Sequence, residues 1–191
     1  AENGTMPPAL AARLARQGAA LLLPSNYPRT IALFDRNSGS FPFAEDSTQV
    51  LARMDANTSE RNHMFLRFNT TSGYAENTQL GALLAYNRGR NIDQVDYTGV
   101  LSDTLVLSPN WTVETRGQFA HYTMDITTTD PIGPSIDITG YGYFGRDIFL
   151  PSKIIERHYQ VMHTHNLVKG RHNVKFGFDY NPVRHSVRSE T

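Results

Sequence analysis

Cysteine is absent from the 191 residues. With it go a disulfide scaffold, a thiol nucleophile and every cysteine-ligated zinc or iron–sulfur centre. Neither sign of charge is in excess: 18 basic side chains meet 18 acidic ones, a formal net charge of zero. A protein that neutralises phosphates needs a basic surplus, so nucleic acid is not an expected partner. Long hydrophobic runs are missing too. The longest apolar block, AALLL at 19–23, is far short of the roughly 18–20 residues of a membrane helix. The opening residues AENG are not a positive segment followed by an apolar one, so no signal peptide is expected there. That leaves a cytoplasmic chain or one whose N-terminus has been removed.

Charged side chains make up only 19%, below the roughly 25% of an average soluble domain. Thr, Asn, Ser, Gly and Tyr take their place, the palette of strands and turns. Ten Phe, nine Tyr and one Trp supply too much apolar surface for a disordered chain. The length suits one domain with a real core.

Two regions are expected, an N-terminal helix with an extended connection (1–47) and a β segment (48–191). Residues 7–23 read as a short helix, with Pro7 and Pro8 at its start and Leu10, Leu14 and Leu21 along one side. Residues 24–47 show no clean period and read as an extended connection. From Thr48 onward the period is two. In HNVKFGFDY (172–180) the positions Val174, Phe176, Phe178 and Tyr180 alternate with Asn173, Lys175, Gly177 and Asp179. One apolar and one wet face is the physical meaning of that alternation. WTVETRGQF (111–119) sets Trp111, Val113 and Phe119 against Glu114, Arg116 and Gln118.

Six strands are predicted, at 48–56, 62–70, 92–107, 111–125, 154–168 and 172–184. Short joins at 57–61, 108–110 and 169–171 make their flanking strands antiparallel neighbours. Long segments, 71–91 and 127–152, connect the other ends. Short joins at one end and long ones at the other, between long strands, is the pattern of an outer-membrane barrel. Sandwich strands are usually nearer five or six residues. Such barrels have at least eight strands, and lipid does not tolerate unpaired strand edges, so six strands read as part of a barrel.

The run GYGYFGRDIFLPS (140–152), then ERHYQ (156–160) and KGRHNVKFGFDY (169–180), resembles TonB-dependent outer-membrane receptors. The similarity is to the Oar-like branch, whose barrels follow a carboxypeptidase-regulatory-like domain. VLARMD (50–55) with FLRFN (65–69), and the hairpin at 105–116, fit as further barrel hairpins, so the likeness spans 48–185. The resemblance implies an all-β, antiparallel up-and-down barrel segment in the bacterial outer membrane. It also implies energy-coupled import of a bulky ligand, with membrane lipid, the remainder of the receptor and the TonB machinery as partners. The family's plug, TonB box, regulatory-like domain and closing strand have no counterpart expected in this chain. Siderophore, glycan, peptide and cobalamin remain equally compatible as ligand. A soluble β-rich binding module, or a subunit assembling through exposed strand edges, is the alternative.

Three constellations are candidates for chemistry. The loop residues Tyr141, Tyr143, Phe144 and Arg146 combine flat aromatic surface with a cation able to pair an anionic ligand; internal packing of a long loop explains the same residues. His163 and His165 share one strand face and can ligate zinc or copper, given a third ligand. Asp125, Asp130 and Asp137 lack EF-hand spacing. No Gly-x-Ser-x-Gly elbow occurs, so neither catalysis nor a cofactor is expected.

Overall fold

The computed structural model describes residues 27–190 apart from Gln79, Ala82 and Ile132. The helix expected at 7–23 lies outside the described residues. The chain divides into two compact units, Ala1–Phe41 and Pro42–Thr191. In the first, a helix α1 spans Tyr27–Asn37, where the sequence suggested an extended connection. Pro28 explains the difference, because proline at the opening turn of a helix costs no hydrogen bond and pre-sets its dihedral. Asn37 closes the helix by donating its Nδ2 to the Leu33 carbonyl at 2.9 Å. No described helix is long and apolar enough to cross a membrane.

The second unit is a meander of long antiparallel strands: β1 (Ala44–Ser59), β2 (Asn62–Thr78), β3 (Arg90–Ser108), β4 (Trp111–Thr128), β7 (Ser152–Lys169), β8 (His172–Tyr180) and β9 (Val183–Ser189). A small hairpin, β5 (Ile136–Ile138) with β6 (Gly142–Phe144), stands within the longest loop. The sheet order is β1-β2-β3-β4-β7-β8, with β9 also on β7. All six predicted strands are present, and the sheet is not closed. β1 starts four residues earlier than expected, and β2 and β4 run several residues further. The sixth is divided, because Pro182 lacks an N–H to give to β7. Its carbonyl still accepts from Tyr159 N at 3.1 Å, and β8 and β9 keep one register along β7. Two-residue turns at 60–61, 109–110 and 170–171 join the hairpins at one end. The loops 79–89 and 129–151 lie at the other.

The registers sort the side chains into two faces. Directly opposed pairs put Met54, Leu66, Leu101, Gly117, Val161 and Tyr180 in one row. The neighbouring row on the same face carries Ala52, Phe68, Gly99, Phe119 and Tyr159. On the other face Arg53, Arg67, Val100, Gln118 and Gln160 are in register. Among the exposed large apolar side chains of the long strands, only Leu51, Val106, Val168, Val183 and Val187 point to this polar face. Curvature follows the same division. Leu101 is 49% exposed between Val100 at 3% and Ser102 at 2%. Side chains crowd one another on a concave face and splay on a convex one, so the polar face is concave and the apolar face convex.

Close approach of β8 to β7 depends on one residue. A methyl at Gly177 would run into the His163 carbonyl and the Thr164 Cα. Gly177→Ala is expected to cost about 1–3 kcal/mol, as overpacking against backbone does. The check is the urea midpoint of the chain reconstituted in lipid; an unchanged midpoint contradicts the close contact.

Candidate functional site

A sheet with one solvated and one apolar face has little interior of its own. Among the described residues, most of the buried apolar side chains sit in the loops: Ala85, Phe144 and Leu150, at 6%, 2% and 5% exposure. These loops form one folded cap. Leu84 bridges Tyr143 in parallel. Tyr143 N donates to the Leu83 carbonyl at 2.8 Å, and Ala85 N to the Tyr143 carbonyl at 3.0 Å. The 3-10 turn Tyr86–Arg88 delivers Arg88 into the second loop, where it donates to Ser135 Oγ at 2.7 Å and the Phe144 carbonyl at 3.4 Å.

Asp147 is the anchor. Its Oδ1 pairs with Arg88 Nη2 at 3.1 Å, and its Oδ2 pairs with Arg90. The Asp147 and Arg88 side chains are only 14% and 13% exposed. In such an enclosed setting each charge depends on its partner. Gly145 (φ +74°) turns the chain beside it, and any Cβ there would strike the Pro134 carbonyl.

The cap distributes the predicted loop residues unequally. Tyr141 is 37% exposed at the tip of the β5–β6 hairpin. Tyr143 lies beneath the Arg88 guanidinium, 5.8 Å from ring centre to Cζ. Phe144 is buried, so its role is packing. Arg146 reaches the surface and stands 3.9 Å from Glu190. The sequence did not flag Ile148 and Phe149, which are 60% and 59% exposed, nor the anchoring trio of Arg88, Arg90 and Asp147. The aromatic–glycine run signals both packing and display, and only the fold separates them.

The structure brings His163 and His165 together on the apolar face. Their Nε2 atoms are 3.0 Å apart. Trp111 Nε1 donates to His165 Nδ1 at 3.1 Å, and His163 Nδ1 meets Thr115 Oγ1 at 2.9 Å. Indole N–H can only donate, so the order of donors is fixed: Trp111 to His165, His165 to His163, His163 to Thr115. Phe176 stacks on His165 with ring centres 4.8 Å apart. No group of three or more metal-ligating side chains occurs among the described residues. His158 sits on the opposite face against Asn181. Zn²⁺ titrated into the protein is therefore expected to show no saturable binding that His163→Ala removes. A stoichiometric calorimetric site lost in that variant would contradict the relay.

The polar face carries ion pairs of its own. Arg116 pairs with Glu114 at 2.7 Å, Arg53 pairs with Asp55 at 2.7 Å, and Gln160 donates to Asp179. Paired charges of this kind suit a wet barrel interior.

The apolar face is bounded. At the loop end, one row carries Asp46, Tyr74, Asp93, Asp125, Lys153 and Arg188, and Lys153 pairs with Asp125 at 2.9 Å. Below it, His121 and Arg157 are directly opposed. From His121 to Trp111 the strand descends about 33 Å at roughly 3.3 Å per residue, which a tilt of about 40° reduces to about 25 Å, the apolar height of an outer-membrane barrel. Within that belt the two imidazoles satisfy one another, and Asp103 accepts from Asn62 Nδ2 at 2.6 Å, as polar groups in hydrocarbon must find partners.

A comparison with curated proteins gives no match. A family model described as an outer membrane beta barrel domain matches residues 2–191. The chain thus belongs to the outer membrane β-barrel domain family, and its place is the outer membrane.

Proposed function

We propose that the chain is a wall segment of a receptor-type barrel, of the TonB-dependent, Oar-like kind, that takes up a bulky ligand from outside the cell. The observation that carries this reading is the folded cap on the long-loop end. Loops that only joined strands would need no interior, whereas these bury Phe144 and Leu150 and spend two arginines on one aspartate. Ordering loops before the ligand arrives lowers the entropic cost of binding it. The strands then serve as architecture, with lipid on the convex face and water on the concave one. The reading contains no catalytic step, cofactor or nucleic acid. Its partners are membrane lipid, the other strands of the receptor and the TonB machinery.

The test is an immunoblot of outer-membrane fractions from the source organism, using an antibody against residues 42–190, after in vivo cross-linking. A polypeptide well above 21.4 kDa that cross-links to TonB supports the receptor. A 21.4 kDa outer-membrane band with no TonB adduct overturns it and leaves the barrel assignment standing.

A further inference from the structure

Large apolar side chains at a loop surface cost solvation unless something uses them. Ile148 and Phe149 are held outward between two fixed neighbours, Asp147 with its two arginines and Leu150 with its 5% exposure. Phe149 also has φ +69°. A bulky residue rarely adopts that conformation, and keeps it only where its surroundings dictate it. Beside the two side chains is a cleft of about 380 Å³ that includes Pro134, Arg146 and Glu190 in its lining. That volume is at the small end for ligand sites, enough for a fragment of a chain rather than a folded partner.

The cleft has two charges as well as an apolar wall. Arg146 and Glu190 are 3.9 Å apart with side chains 32% and 64% exposed, a loose surface pair of little intrinsic strength. A ligand bringing a carboxylate and an ammonium of its own can replace that pair with two new ones. Asp147 cannot compete, because both its oxygens are already taken by Arg88 and Arg90. A sugar would leave the apolar wall of Ile148 and Phe149 unused, and a fatty acid has no group for Glu190.

We propose that Arg146, Ile148, Phe149 and Glu190 form a binding site for short apolar peptides with free termini, the carboxylate on Arg146, the ammonium on Glu190 and an apolar side chain against Phe149. This deepens the receptor reading and rests on it for its biological meaning, and the binding is read separately from the TonB cross-link.

The probe is trileucine, titrated by calorimetry into the outer-membrane polypeptide that contains residues 42–190, purified into phospholipid nanodiscs. N-acetyl-trileucine, trileucine amide and decanoate are the comparison ligands. Trileucine is expected to bind saturably, each blocked peptide at least tenfold more weakly, and decanoate not at all. Arg146→Ala and Glu190→Ala should each weaken trileucine at least tenfold. Phe149→Gly separates recognition from folding. Glycine accepts φ +69° without strain, so this variant should keep its thermal midpoint and still lose binding. Absence of trileucine binding, equal binding of the blocked peptides or of decanoate, or full binding by Phe149→Gly overturns the site. The TonB cross-link is read independently, so the site can fail while the receptor stands, and the reverse.

Discussion

Asp147→Ala is expected to melt the loop cap and leave the strands intact. The carboxylate is 14% exposed and serves Arg88 at 13% and Arg90 at 29% exposure. Removing it strands two guanidinium groups in partly buried positions, a change that costs about 3 kcal/mol in enclosed ion pairs. The loss is local, because no strand of the sheet depends on this carboxylate for its ladder. In hydrogen exchange, the cap amides of Ala85, Tyr143 and Thr129 should open on the order of 100-fold more readily, as about 3 kcal/mol of local stability requires. Amides in the middle of β3 and β4 should not change. Asp147→Asn keeps the shape and one acceptor oxygen, but it loses the charge and sets an amide donor against one guanidinium, so it should open the cap as well. Equal protection in wild type and Asp147→Ala would show that the cap stands on its apolar interior alone, Phe144 and Leu150 included.

The anchor was not legible in the sequence, whereas the strands it crowns were. A barrel strand puts alternate residues in lipid and in water, so a period of two is written into every spanning segment, and HNVKFGFDY displays it without a break. The short turns were equally plain, because Pro109-Asn110 and Gly170-Arg171 interrupt that period at once. Arg88 and Asp147 lie 59 residues apart, and no periodicity links them. The helix Tyr27–Asn37 was missed for a different reason: residues 24–47 show no clean period, and Pro28 starts a helix at its opening turn. Pro182 had the opposite effect. It divides the last strand in two without shifting the register, because Tyr159 N still finds the Pro182 carbonyl. Within the candidate loop, composition does not separate the side chains that pack from those that are displayed. Phe144 faces inward and Phe149 outward, a distinction set by the turn at Gly145 and the dihedral of Phe149 itself.

The assignment of faces makes the largest claim about the whole molecule, and one pair of substitutions decides it. Leu101 and Gln118 belong to the paired strands β3 and β4, in adjacent rows. Leu101 stands on the convex apolar face at 49% exposure, in the row of Met54, Leu66 and Val161. Gln118 is directly opposite Val100 on the concave face, beside Gln160. Arginine at a lipid-facing position near the bilayer middle costs about 2–4 kcal/mol in outer-membrane barrels, whereas a lumen position meets water and other polar groups. Leu101→Arg is therefore expected to lower stability by about 2–4 kcal/mol in phospholipid bilayers, and Gln118→Arg by less than about 0.5 kcal/mol. The measurement is the guanidinium midpoint of each variant in bilayers, followed by tryptophan fluorescence of Trp111. The same substitutions distinguish a membrane wall from a soluble sheet whose apolar face packs on a second layer. In detergent-free buffer a soluble sheet would fold and show the Leu101→Arg penalty there, while a barrel wall shows it only with lipid present. Equal costs for the two arginines would place both positions in water, and the convex face would then not be the lipid face.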